Sequence, residues 1–307
     1  MPLSIHLQMQ RTIQNILLQD SASLGVALGL DSNTARIEVQ CLLQYALKVA
    51  RSYLVAHPER LLSKDEAASY QSMFQRRLGG EPIAYILGMR EFFGLSFIVT
   101  TATLIPRPET ELLVELALER IPLLPTHSLP PPRGEGWGEG AFRILDMGTG
   151  SGAIALAIAY HHSNAEVWAS DASTAALAVA RENAKQLAIT NVHFVKSDWY
   201  SDLGGKRFDI IVSNPPYVAA NDQHLLQGDL RFEPLSALAS GTDGLEDIRL
   251  IVKQASAHLN DNGWLLLEHG YDQAAQVREL LQHAGLKAVF SAKDLSGIER
   301  CSGGRLS

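Results

Sequence analysis

Cysteine is scarce. The 307 residues hold two, Cys41 and Cys301, far apart and in no metal-ligand spacing. That excludes a disulfide framework and a cysteine-built zinc site, and both side chains read as reduced thiols of a cytoplasmic protein. Basic residues are also short, 26 against 33 acidic, for a formal net charge of −7. A dedicated binder of nucleic-acid backbone usually shows a basic face, and this balance weighs against one. No run of about 18 apolar residues is present, so no membrane span is expected. The first residues, Met1-Pro-Leu-Ser-Ile-His6, lack a basic patch followed by a long apolar core and do not read as a signal peptide. Hydrophobic side chains, in contrast, make up 46% of the chain. That supports a sizeable core, and the length predicts two domains.

The chain divides in three. Residues 1–80 are helical in pattern: Arg36–Arg51 places Ile37, Leu42, Leu43, Ala46, Leu47 and Ala50 on one stripe, with Asp31-Ser-Asn-Thr as its start signal. A second helix is expected over Lys64–Leu78, ending at Gly79-Gly80. His6 and His57 read as surface groups. Such a helical cap ahead of an α/β domain reads most simply as a module for recognising a partner or substrate. Residues 81–105 contain β-prone Tyr85-Ile-Leu-Gly-Met and Phe92–Val99, with Met89–Phe92 between them, and predict a hairpin linker. Residues 106–307 read as the catalytic domain. Within it, proline and glycine crowd 122–140 at a density that packs as neither helix nor strand, so a disordered insertion is expected there.

Asn214-Pro215-Pro216-Tyr217 ends an apolar run, Phe208–Ser213. A planar –NH2 group is a poor nucleophile because its lone pair is delocalised. To make it react, a protein must hold both N–H bonds with acceptors and leave the nitrogen face open. Asn214 brings a side-chain carbonyl, and the two prolines bring acceptors with no competing N–H. A residue before proline is held extended, which fixes Asn214. Tyr217 offers a flat ring for an amide or base to stack on. The plainer alternative is a strand-to-loop turn with two prolines.

Arg143–Gly152 runs from a short strand into Gly148-x-Gly150-x-Gly152, followed by the helical stretch Ala153–Tyr160. The spacing is not that of dinucleotide binders, and no Lys-Ser/Thr follows, so it is not a phosphate loop. A tight turn alone would also use these glycines. Asp171 ends a second predicted strand, placed to accept both ribose hydroxyls or to cap the following helix, Thr174–Lys185. After the third strand, Val192–Lys196, Asp198 is placed to take an exocyclic amine. Trp199 either covers an adenine face or packs under the loop. All four signals fall at C-terminal strand ends, the binding edge of an open parallel α/β sheet. A ribose and an adenine without a pyrophosphate cradle point to S-adenosylmethionine, and the amine-holding corner beside it points to methyl transfer onto nitrogen.

Ile105-Pro-Arg-Pro-Glu-Thr-Glu111 precedes a helix expected over Leu112–Arg120. Its acids suit a helix N-terminus, with Thr110 or Glu109 supporting the start, while Arg107 and Glu109 are also candidates to close over the cofactor site. The buried strand Gly263–Glu268 ends in Glu268-His269, read as structural because neither a nucleophile nor a metal partner is apparent.

Ile105–Glu111, Asp146–Ala153, Ser197-Asp-Trp199, Ser213–Tyr217 and Arg231-Phe-Glu-Pro234 together resemble the release factor glutamine methyltransferases, the HemK/PrmC family, over nearly the whole chain. The resemblance implies a class I S-adenosylmethionine-dependent methyltransferase domain, α/β and Rossmann-like with a mostly parallel seven-stranded sheet. It also implies a small all-helical N-terminal domain and a β-hairpin linker. It assigns Gly148, Thr149, Gly150, Ser151, Gly152, Asp171, Trp199 and Asn214 to the methyl donor. Asn214, Pro215, Pro216 and Tyr217 are assigned to the glutamine of the Gly-Gly-Gln loop in class 1 peptide chain release factors, with Asn214, Pro215 and Tyr217 catalytic. No metal, no direct nucleic-acid partner and a monomer are expected. Met147 stands where the family usually has leucine, a tolerable swap. A nucleic-acid adenine or guanine amino-methyltransferase is the alternative that the Asn214 motif would also serve.

Overall fold

The structure is a computed structural model and describes residues 11–122 and 142–307. His6 and the expected insertion, Pro122 apart, lie outside the described residues. The chain forms two compact units, one ending at Gly88 and one beginning at Met89.

The first unit holds α1 (Ile13–Leu28), α2 (Ser32–Leu47), α3 (Arg51–Ala56), α4 (Lys64–Leu78) and α5 (Ile83–Leu87). Local chemistry sets their ends. Asp31 Oδ1 accepts the amide hydrogens of Asn33 and Thr34, which starts α2. Ser63 and Glu66 form a reciprocal capping box at α4. The helix expected to run to Arg51 stops at Lys48, which adopts a left-handed conformation (φ 55°). Leu24, Leu42, Leu43, Leu54 and Tyr70 fill the core. The Tyr70 hydroxyl donates to buried Asp20 at 2.9 Å, and Arg11 pairs with the same carboxylate, so that charge is not left orphaned. His57 is exposed.

The second unit opens with a hairpin, β1 (Met89–Phe92) and β2 (Leu95–Ile98), turning at Phe93-Gly94 with both residues at positive φ. Of the strand expected at Tyr85–Met89, Tyr85–Leu87 instead belongs to α5, with Pro82 before it and left-handed Gly88 (φ 71°) ending it, and Met89 opens β1. A 3-10 turn, Pro108–Thr110, leads into α6 (Glu111–Leu118), and neither Glu109 nor Thr110 makes a side-chain cap there. Then come β3 (Arg143–Met147), α7 (Ala153–His161), β4 (Glu166–Asp171), α8 (Thr174–Gln186), β5 (Val192–Lys196) and β6 (Phe208–Ser213). The chain finishes with α9 (Glu246–His258), β7 (Leu259–Glu268), α10 (Ala274–His283), β8 (Lys287–Lys293) and β9 (Glu299–Arg305).

The seven-stranded sheet has the order β5-β4-β3-β6-β7-β9-β8, with β9 antiparallel to both its neighbours and the pairs from β5 to β7 all parallel. Alternation along the strands splits the core into two layers. Ile144, Ile210 and Val212 face the layer containing Leu113 of α6 and Leu156 of α7. Leu145 and Ile211 face the layer containing Ile248 of α9 and Val277 of α10. From β3 the chain runs outward to β5 and then returns to β6 on the other side of β3. The crevice between the C-terminal ends of β3 and β6 is therefore the topological switch point, where open α/β sheets bind ligands. No helix among the described residues is long and apolar enough to cross a membrane.

Candidate active site

Register brings the predicted residues together. Met147 pairs with Ser170 on one side and Ser213 on the other, and Ser213 pairs with Leu267. One position further, Gly148, Asp171, Asn214 and Glu268 form a row along the C-terminal edge. The Ser213 hydroxyl donates to the Met147 carbonyl at 2.8 Å, which adds a side-chain bond to the ladder at the switch point.

The glycine loop is built around a buried acid. Asp146 Oδ2 accepts the Thr149 hydroxyl at 2.6 Å and the Ala155 amide at 3.1 Å, tying the strand end to the first turn of α7. Burial pushes this carboxyl up to about 7 against those two bonds. Gly148 and Gly150 line a cavity of about 410 Å³ together with Asp171, Asp198, Trp199 and Asn214. Thr149, Ser151 and Gly152 do not. The Thr149 side chain is spent on Asp146, and the Ser151 carbonyl accepts from Asn183 at 2.8 Å. Gly152 (φ 83°) is the close-packing point of two helices: a Cβ there would stand 3.0 Å from Leu156 Cδ1 and 3.1 Å from Ala180 Cβ.

Asp171 Oδ2 accepts the Gly150 amide at 2.9 Å and Oδ1 accepts the Ser173 amide at 2.8 Å. Each oxygen keeps a lone pair for a ligand hydroxyl. Burial raises its pKa, and the two amide bonds oppose that. The cap of α8 is Ser173, whose hydroxyl accepts from the Ala176 amide, so Asp171 is not the N-cap. Trp199 holds a left-handed backbone (φ 48°), and a Cβ on Gly148 would lie 3.8 Å from its ring. It both packs against the core and lines the cavity.

Asn214 Nδ2 donates to Thr110 Oγ1 at 3.1 Å, which leaves Oδ1 as the free end of that amide. The Tyr217 carbonyl is held by Gln273 Nε2 at 3.0 Å, and Val218 exchanges backbone bonds with Leu238 and Ser240 on the following loop. The corner is therefore anchored on both sides. The Tyr217 hydroxyl donates to Glu268 Oε1 at 3.3 Å. Burial and the Glu268 charge both raise its pKa.

Arg107 and Glu109 do not close over the glycine-loop cavity; Thr101–Leu104 lines it instead. They stand on a second, polar cavity of about 390 Å³ with Tyr217, Glu268 and Arg300. The cause is Glu233, a buried carboxylate that pairs with Arg107 and accepts the Ile105 amide at 3.0 Å, drawing the segment onto the loop around 233. Thr110 and Glu268 were not legible as site residues. Glu268 carried one signal, an acid closing an apolar strand at the same edge as Asp171.

The donor set suits a nucleoside with an adenine. It offers a carboxylate for hydroxyls, an acid beside an indole, and glycines whose missing Cβ atoms open the loop. The cavity size is ordinary for a small ligand. Sheet order, glycine loop and acid-tipped second strand define a class I methyltransferase with S-adenosylmethionine as methyl donor.

Comparison with known proteins narrows this. Residues 139–230 match the methyltransferase small domain, and residues 27–88 match the PrmC N-terminal domain. The release factor glutamine methyltransferase of Xylella fastidiosa (strain Temecula1) is 47% identical over 88% of this chain and 93% of that protein. That of Burkholderia pseudomallei is 49% identical over 93% and 96%. Among solved structures, the hMettl16 catalytic domain in complex with the MAT2A 3′UTR hairpin 6 shares the fold, with a TM-score of 0.52 and 16% identity, covering 81% of this chain and 85% of that one. The chain belongs to the release factor glutamine methyltransferase family, enzymes that methylate a release factor glutamine from S-adenosylmethionine.

Proposed function

We propose that the corner Asn214–Tyr217 holds the side-chain amide of the glutamine in the Gly-Gly-Gln loop of a class 1 peptide chain release factor, and that the methyl group goes to its nitrogen. The observation that carries this reading is the engagement of Asn214 Nδ2 by Thr110. With Nδ2 turned to Thr110, Asn214 presents Oδ1 as an acceptor, and the Pro215 carbonyl supplies another. Two acceptors at fixed positions take the two N–H bonds of a carboxamide, bias the nitrogen toward a tetrahedral arrangement and aim its lone pair. The Tyr217 ring, with its hydroxyl tied to Glu268 and its backbone carbonyl held by Gln273, sets the plane of the amide. Pro216 lines the cavity and closes its wall beside Asn214.

Gly148, Gly150, Asp171 and Trp199, with Asp198, would hold the methyl donor. When bound, that group supplies an electrophilic methyl on a sulfonium. The protein's work is positioning. Asp171 fixes the sugar, Trp199 covers the base, and Asn214 stands where both ligands meet. Thr149, Ser151 and Gly152 support the loop from behind.

The N-terminal helical unit serves as the substrate-recognition module in this reading, and the enzyme works as a monomer in the cytoplasm, with no membrane or nucleic-acid partner. The test is to incubate the full chain with S-adenosylmethionine and a class 1 release factor, then digest and analyse the peptides by mass spectrometry. One methyl is expected on the Gly-Gly-Gln glutamine. Methyl incorporation into nucleic acid, with none at that glutamine, contradicts the proposal.

A further inference from the structure

The two ends of the amide-holding corner lead to one buried side chain. Asn214 Nδ2 donates to Thr110 Oγ1, and a hydroxyl that accepts this bond still has its own hydrogen to give. Tyr217, at the other end, gives its hydroxyl hydrogen to Glu268 Oε1. Glu268 is 2% exposed, and its Oε2 has no hydrogen-bond partner among the described residues; burial raises its pKa, and the Thr110 and Tyr217 hydroxyls oppose that. A buried carboxylate oxygen without a partner is costly unless a nearby donor can turn to it.

We infer that Glu268 is a positioning residue for the methyl transfer: as a carboxylate it takes the hydrogens of Thr110 and Tyr217, and so fixes Asn214 with its oxygen toward the substrate amide. This rests on the reading of Asn214 as the amide-holding residue.

A carboxylate only accepts, so Thr110 must point its hydrogen at Glu268 and can then only accept from Asn214. A protonated acid, or a glutamine, brings a donor of its own. That donor competes for Thr110 Oγ1, frees the Asn214 amide to turn over, and places –NH2 where the substrate –NH2 must bind. Two donors then face each other and the transfer fails.

Protonation has a reachable range, because burial raises Glu268 to about 7. The charged groups facing it come from several elements. Arg300 lowers it and Glu109 raises it, Arg107 and Asp229 share the polar cavity, and Cys301 neighbours it on β9.

The test compares the full-length wild type with Glu268→Gln, using a class 1 release factor and S-adenosylmethionine, from about pH 6 to about pH 9. The wild-type kcat is expected to fall on the acid side of neutrality. In Glu268→Gln, kcat is expected to drop by about 10- to 100-fold at every pH, the acid limb to vanish, and methyl-donor affinity to stay within about twofold. If Glu268→Gln is poorly folded, Thr110→Val removes the same link from the other side and should reproduce the drop in kcat. A Glu268→Gln enzyme with wild-type kcat, or with reduced kcat and an unchanged acid limb, overturns the inference while the wild-type arm leaves the functional reading standing. A folded wild type that methylates no release factor overturns both.

Discussion

Asp171 Oδ2 accepts the Gly150 amide hydrogen at 2.9 Å, so the end of β4 and the loop after β3 form one unit around the donor cavity. Replacing Asp171 with alanine removes a ligand contact and releases the loop together. Donor affinity is expected to fall by about 10- to 100-fold, the loss of one or two charge-assisted hydrogen bonds. Isothermal titration calorimetry with S-adenosylmethionine measures it. Unchanged affinity would remove Asp171 from the site.

Gly152 and Gly150 should separate stability from binding. Alanine at 152 meets Leu156 and Ala180 at about contact-limit distance and must also hold φ 83°. A loss of about 2–4 kcal/mol is expected from overpacking and backbone strain. Gly150 (φ 56°) has nothing within 4 Å of a built Cβ, so its alanine variant should lose less stability. Because Gly150 lines the cavity, that variant should lose donor affinity instead. Denaturant midpoints and calorimetry on both proteins check the contrast.

Much of the catalytic unit was legible because local pattern and tertiary role agree there. The predicted strands Val192–Lys196 and Phe208–Ser213 and the helix Lys64–Leu78 have the boundaries expected of them. The edge carrying Gly148, Asp171 and Asn214 was readable from strand ends alone. β9 was not, since Cys301-Ser-Gly-Gly304 carries no β-branched or aromatic residue. Its glycines are demanded by packing, as a Cβ on Gly303 would stand 2.6 Å from Leu266 Cδ2. Tyr85–Leu87 has strand-like composition, but Pro82 and Gly88 close it into a helical turn. Glu268 reads as structural from sequence because neither a nucleophile nor a metal partner is apparent beside it, and Tyr217, whose hydroxyl donates to it, lies 51 residues away.

Asp146 makes stability depend on pH in a definite direction. Its carboxyl rises from an ordinary 3.8 to about 7 on folding. A group with a raised folded pKa contributes stability that is fully present below its unfolded pKa and is lost as pH rises through the folded one. Asp146→Asn mimics the protonated form and has no such titration. Between about pH 4 and about pH 7 the wild type should lose stability relative to this variant. Glu268 rises to about 7 as well and acts in the same sense, so the difference between the two proteins isolates Asp146. Urea unfolding across that range gives the result, and a difference independent of pH would contradict it.

The central claim is that Asn214 presents an acceptor to a carboxamide beside the donor cavity. Its most direct test is the single-turnover rate of release factor methylation by Asn214→Ala, with S-adenosylmethionine affinity measured on the same protein. The account predicts a rate lower by about 100-fold or more, with donor affinity nearly unchanged. A variant that methylates at the wild-type rate would contradict it.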